Sequence, residues 1–168
     1  ACSGAVGQTN QPPGTNACIV PVPRTDARGT NRFLELSQRV KDCQGQADIV
    51  FLGDSITQAW EVEGKEVWAK YYTPRHALNL GIGSDRTQHV LWRIEHGELD
   101  GLKPKAVVLM IGTNNTGEEK DGSARNSTTE VIEGITAVVK QIRTKLPRSK
   151  LLLLAVFPRG TIDAPQRA

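Results

Sequence analysis

The sequence predicts an α/β protein built on a parallel sheet, and three observations carry that reading. Four short, largely apolar runs (Ala47 to Leu52, His76 to Leu80, Ala106 to Ile111 and Lys150 to Val156) lack the polar alternation of a half-exposed strand. Stretches with helical spacing of apolar residues lie between them, and the first three runs lead into Gly53, Gly81 and Gly112. Continuous apolar strands suit a sheet buried on both faces, and parallel neighbours need crossover connections that place helices there. The expected architecture is a three-layer α/β/α sandwich.

The first 28 residues are rich in Gly, Gln, Asn and Pro, as in Gln11-Pro12-Pro13-Gly14 and Pro21-Val22-Pro23, with few apolar side chains to bury. They read as an extended tether or an arm lying on the surface. From about Asn31, Phe33, Leu34, Leu36 and Val40 recur at helical spacing and open the folded domain, taken as 29–168. Strand one, Ala47 to Leu52, is followed by a partly helical stretch from Ser55 to about Tyr71, and strand two is His76 to Leu80. Val90, Leu91 and Ile94 mark a helix before strand three, Ala106 to Ile111. Ser127-Thr128-Thr129-Glu130 has the form of a capping box, and Val131, Ile135, Val138, Ile142 and Leu146 continue as the buried stripe of a long helix that Pro147 stops. Lys150 to Val156 is strand four, Pro158 begins an exit loop, and no internal repeat is present.

Composition excludes several functions. A length of 168 residues suits one domain, and a net charge of +3 without any basic run gives no stripe for nucleic acid. The longest apolar runs fall far short of the roughly 18 residues of a membrane-spanning helix. Cys2, Cys18 and Cys43 have none of the Cys/His spacings of a zinc site. The chain begins at Ala1, and Ala1-Cys2 has the form left by lipoprotein cleavage, which points to a secreted, periplasmic or lipid-anchored location over a cytoplasmic one.

Ligands of a parallel sheet gather where its strands end. Strand one ends Gly53-Asp54-Ser55-Ile56 before a helical stretch. A serine there sits at a tight turn near a helix N-terminus, a nucleophile's position, although Asp and Ser are equally the residues of turns and N-caps. Strand two ends Gly81-Ile82-Gly83-Ser84-Asp85-Arg86, whose glycines allow N–H groups to approach an oxyanion. A phosphate loop is the competing idea, but the third glycine of the dinucleotide fingerprint and the Gly-Lys-Ser/Thr of a P-loop are missing. Strand three ends Gly112-Thr113-Asn114-Asn115, where an asparagine either donates to the same oxyanion or caps a turn.

These three segments resemble blocks I, II and III of the SGNH (GDSL) hydrolases, in order and at suitable spacing. His76 to Gly83, His89-Val90-Leu91-Trp92-Arg93, Gly97-Glu98-Leu99, Lys103-Pro104-Lys105 and Phe157-Pro158-Arg159-Gly160 are similar to the branch formed by the catalytic subunits of platelet-activating-factor acetylhydrolase and their bacterial relatives. The resemblance implies a flavodoxin-like parallel sheet of order 2-1-3-4-5, here lacking the last strand and helix, so that Leu151 to Phe157 becomes an exposed apolar edge. It implies Ser55 as nucleophile, with an oxyanion hole made by the backbone N–H of Ser55, the backbone N–H of Ser84 and the side chain of Asn114. Asp54, Gly83 and Asp85 are supporting residues, Asp54 orienting the loop through backbone N–H groups and Asp85 pairing locally with Arg86. Position 84 departs from the family's glycine, which serine can replace if its dihedrals are allowed.

The family's general base is a histidine in an Asp-x-x-His block, and this chain contains no such block. His76 reads as structural, His89 as a packing or hydrogen-bonding residue near the pocket with substitution as the base its alternative, and His96 as a helix-end surface residue. Trp60, Trp68, Tyr71 and Tyr72 read as packing against the sheet, and Glu118-Glu119-Lys120-Asp121 as a solvated loop. The expected function is a serine esterase or acetylhydrolase acting through an acyl-enzyme on a small ester, an acetylated lipid or sugar. The alternative is a non-catalytic binding or assembly module, or an inactive fragment, that keeps the fold. No cofactor or metal is implied, nor any nucleic-acid partner. A homodimer, or a second chain completing the sheet, is the expected protein partner.

Overall fold

The computed structural model describes residues 15–119 and 121–158. The expectations for Ala1-Cys2, Gln11 to Gly14, Lys120 and Arg159-Gly160 lie outside these residues.

Helix α1 (Ala27–Asp42) leads to strand β1 (Ile49–Gly53) and a short helix α2 (Ser55–Gln58). A chain of single turns, among them α3 (Lys65–Val67), runs to β2 (Ala77–Gly81). Then follow α4 (Thr87–Glu95), β3 (Ala106–Met110), α5 (Thr128–Lys145) and β4 (Lys150–Leu153). The sheet has the order β2-β1-β3-β4 with every pair parallel, as the sequence predicts.

β1 begins at Ile49 rather than Ala47 and β3 ends at Met110 rather than Ile111, and two further strand boundaries differ for backbone reasons. His76 has φ 47, a left-handed conformation that no strand accommodates, so β2 begins at Ala77. β4 ends at Leu153 rather than Val156, because its neighbour β3 stops at Met110 and Gly112 turns away at φ 124. The Leu154 N–H makes the last ladder contact, donating to the Leu109 carbonyl at 2.9 Å.

One face of the sheet carries the core. Val50, Leu52, Leu80, Val107 and Leu109 pack beneath Leu36 and Val40 of α1, Val90 and Ile94 of α4, and Val138 and Ile142 of α5. On the other face, Phe51 sits among Trp60, Trp68 and Tyr72 at centroid distances of 6.4, 5.0 and 4.9 Å. Tyr71 departs from the expectation, being exposed with the Lys70 ammonium 5.1 Å from its ring. Among the described residues this second layer covers only the β1 side. Val108, Met110, Leu152 and Leu154 help line an open hollow of about 370 Å³, and Leu152 and Leu153 are 55% and 48% exposed. Among the described residues, Leu152 and Leu153 thus form an exposed apolar edge, and the face lined by Val108 and Met110 is left partly open.

The described part of the arm is anchored to the domain. α1 starts at Ala27, earlier than the apolar spacing suggests, because Asp26 caps it through the Gly29 N–H at 2.9 Å. Upstream, Cys18 is fully buried. Its carbonyl accepts from Thr87 Oγ1 at 2.8 Å, the Asn16 amide donates to the Glu130 carbonyl at 3.1 Å, and the Val22 N–H donates to the Gln88 carbonyl at 3.2 Å. The arm crosses α5 at Gly134, where a Cβ would lie 2.6 Å from Thr87 Oγ1 and 2.7 Å from Cys18 Cβ.

Gly134→Ala therefore lowers stability by about 1–3 kcal/mol in urea unfolding, although alanine at an open helix site is favoured over glycine by about 1 kcal/mol. A stabilised variant would show that the arm does not lie against α5.

Candidate active site

Three loops at the carboxyl ends of β1, β2 and β3 are drawn together by named contacts. After β1, the buried Asp54 accepts the Ile56 N–H at 2.9 Å and caps α2, the backbone-orienting role its position suggests. This cap places Ser55 at the first helical position, exposed, where its N–H has no intrahelical acceptor. β2 passes so close to α2 that a Cβ on Gly81 would lie 2.3 Å from the Gln58 nitrogen. Gln58 Oε1 in turn accepts the Gly83 N–H at 2.7 Å, and a Cβ on Gly83 would stand 3.9 Å from Ser55 Cβ. From the β3 loop, Asn114 Nδ2 donates to the Asp85 carbonyl at 2.9 Å, and an amide NH₂ carries a second donor hydrogen. Ser84 is exposed with φ 66, the left-handed conformation a glycine takes freely and a serine adopts at a cost of about 1 kcal/mol.

Beneath these loops lies a buried charge network. Asp85 is fully buried between Arg24 at 3.2 Å and Arg93 at 2.9 Å. The expected Asp85–Arg86 pair is thus a misassignment: Arg86 turns outward to Glu119 at 3.0 Å, while α4 and the arm supply the buried partners. Glu119 also meets Arg125 at 3.4 Å, and Arg125 donates to the Asn114 carbonyl at 3.2 Å, so part of the solvated loop braces the β3 end. Arg93 pairs with buried Glu98 and donates to the Leu80 and Gly53 carbonyls at 3.1 and 3.3 Å. Burial raises the Asp85 carboxyl above its ordinary value and pushes Glu98 up to about 7, against the lowering effect of Arg93 on both.

The three histidines take structural places. His89 Nδ1 accepts the Arg86 N–H at 3.0 Å at the start of α4. Burial first, then the positive charges of Arg24, Arg86 and Arg93, lower its pKa to about 3, so it is a neutral acceptor. His76 is exposed before β2, 3.5 Å from Asp48, at the sheet end opposite the three loops. His96 caps the end of α4 and stacks on Trp92 at 3.9 Å.

Arg24, Gln58, Arg93 and Asn115 escape the sequence reading. Asn115 is fully buried and accepts the Thr87 N–H at 3.0 Å, tying the β3 loop to α4. Arg93 does carry a readable signal: it falls three residues after Val90, on the apolar face of its helix, where an unpaired charge is unaffordable. Arg24 carries none, since its partners at the loop cluster, Gly83 and Asp85, stand 59 and 61 positions away. Among the described residues no His/Cys/Asp/Glu group is arranged to hold a metal ion, and no helix is long and apolar enough to cross a membrane.

A parallel β2-β1-β3-β4 sheet with this loop cluster defines an α/β protein of the SGNH acylhydrolase fold. The chain belongs to the GDSL-like lipase/acylhydrolase family, whose model matches residues 51–168. It is 44% identical over 147 residues to the platelet-activating factor acetylhydrolase IB subunit beta homolog of Drosophila melanogaster, a match covering 86% of this chain and 61% of the fly protein. It is 39% identical over 155 residues to the human platelet-activating factor acetylhydrolase IB subunit alpha2, covering 91% of this chain and 63% of that one. The chain thus spans less than two thirds of the length of these curated relatives. A solved Bacteroides fragilis protein described as an acylhydrolase shares the fold with a TM-score of 0.60 at 21% identity, covering 80% of this chain and 61% of that one.

Two titrations check the electrostatics. Glu98 is held above its unfolded value, so the stability it contributes is full below about pH 4.5 and is lost as pH rises through about 7. Across that window, the urea midpoint of Glu98→Gln rises relative to the parent's; the opposite trend would overturn the assignment. His89 is held low, so its contribution is present above about pH 6.5 and lost as pH falls towards about 3. Its ring signals in NMR accordingly stay unprotonated down to about pH 4, and a midpoint near 6 would contradict the burial argument.

Proposed function

We propose that this chain carries the nucleophile and oxyanion hole of a serine esterase that removes short acyl groups, acetyl above all, from a lipid or carbohydrate alcohol. Ser55 Oγ attacks the ester carbonyl carbon. The backbone N–H groups of Ser55 and Ser84 and the Asn114 side chain stabilise the oxyanion, the alcohol leaves with a proton, and water releases the acyl group from Ser55. The observation that carries this reading is the convergence of the three loops, with Gly83 against Ser55 and Asn114 bonded to the Asp85 carbonyl. The names of the similar fly and human proteins, both acetylhydrolase subunits, favour acetyl.

A base must accept the Ser55 proton for full rate, and none of His76, His89 and His96 stands in that role. The second reading is a binding or assembly module that keeps the fold without turnover.

Incubation with p-nitrophenyl acetate separates the two. The esterase reading expects a burst of p-nitrophenol and an acetyl group on the Ser55 peptide by mass spectrometry, both abolished in Ser55→Ala. Equal, near-background release by the two proteins, with no adduct, would leave the binding module.

A further inference from the structure

Gly83 and Ser84 contribute to one peptide unit, the carbonyl from the first and the N–H from the second. In a trans peptide these groups point to opposite sides, so a contact that fixes the Gly83 oxygen also fixes the direction of the Ser84 N–H. That contact comes from the arm. Arg24 Nη1 donates to the Gly83 oxygen at 2.7 Å. The guanidinium is itself held: Nε and Nη2 each lie 2.7 Å from Asp26 Oδ2, Nη1 lies 3.2 Å from Asp85 Oδ1, and the side chain is only 16% exposed.

We propose that Arg24 is a positioning residue of the hydrolase site, locking the Gly83–Ser84 peptide so that the Ser84 N–H is presented on the Ser55 side. The inference rests on the esterase reading above. The backbone explains why a lock is required. With Ser84 at φ 66, the peptide could relax by flipping, which carries φ of residue 84 back to negative values while Gly83 tolerates the accompanying change in its own ψ. A flip would exchange the N–H for a carbonyl oxygen and repel an oxyanion. The charged hydrogen bond from Arg24 opposes the flip, because the reversed peptide would set an N–H against the guanidinium. It also polarises the peptide, making the N–H a stronger donor. Gln58, on the Gly83 N–H, fixes the preceding unit in the same way.

The test uses the whole 168-residue chain, labelled with ¹⁵N, as the parent and as Arg24→Ala, Arg24→Gln and Arg28→Ala. Arg28 is exposed on the first turn of α1 and serves as control. The parent and Arg28→Ala give one sharp Ser84 amide signal. In Arg24→Ala that signal shifts and broadens by microsecond-to-millisecond exchange, while amides in the centre of β1 and β3 hold their positions. Ser55 acetylation by p-nitrophenyl acetate slows about 10- to 100-fold, in the rate at saturation rather than in the concentration for half-maximal rate. Arg24→Gln, which keeps a donor without the charge, falls between, and it decides on the same criteria if Arg24→Ala does not fold. A Ser84 amide that superimposes on the parent's would overturn the proposal. So would a disturbance spread evenly through the core with the Gln variant no closer to the parent, since that marks Arg24 as a fold-stabilising ion pair only. Absence of Ser55 acetylation in the parent would sink the esterase reading by itself, and the amide signal would still report whether Arg24 sets the peptide.

Discussion

The architecture turns on one buried guanidinium. Arg93, 2% exposed, meets the carboxylates of Glu98 and Asp85 and two backbone carbonyls, Leu80 and Gly53, which belong to adjacent strands. Removing a cation from water costs several kcal/mol, so such a residue persists only where most of its donors find acceptors. Arginine suits the place because its planar fork presents five N–H groups in fixed directions, which lysine cannot do. The arrangement is rigid because its members depend on one another. Without Arg93, Glu98 would lose its paired cation and Asp85 would keep only Arg24 at the base of the loop cluster.

The same device recurs along the sheet's carboxyl end. Arginines reach the backbone carbonyls there in addition to the strand ladder: Arg93 those of Gly53 and Leu80, Arg32 that of Gly81, and Arg24 that of Gly83. Each cation comes from a different element, the arm, α1 or α4. Positive charge is thereby concentrated behind the strand ends, with Glu61 and Asp85 among its counterions. This distribution is compatible with loops whose N–H groups face outward, since the carbonyls are already engaged from behind.

Much of this was legible in the residues. Four apolar runs, the capping box at Ser127 and the three polar blocks after the strands located the sheet, the longest helix and the loop cluster. What escaped was long-range. Asp85 and Arg86 are neighbours in sequence, and sequence adjacency suggested a pair, yet their side chains leave the backbone on different sides and find partners in distant elements. The arm's composition left a tether and a surface-lying arm both open, and only the fold shows its described part lying on the domain, anchored by buried Cys18 and by hydrogen bonds to α4 and α5. The partial second layer was equally hidden, because apolar periodicity says which residues avoid water but not what shields them. The four aromatics were readable as a group, and only the fold distinguishes Tyr71 from the three that surround Phe51.

The strand order has a consequence for how the protein emerges from the ribosome. β1 is made first and ends in the interior of the sheet, with β2 added on one flank, β3 on the other, and β4 beside β3. Every later strand docks on an edge already available when it is synthesised, and none has to be inserted between two partners that have paired. Growth can therefore proceed outward in the order of translation, without reopening hydrogen bonds already formed, which spares a parallel topology some of the delay that its non-local pairings impose.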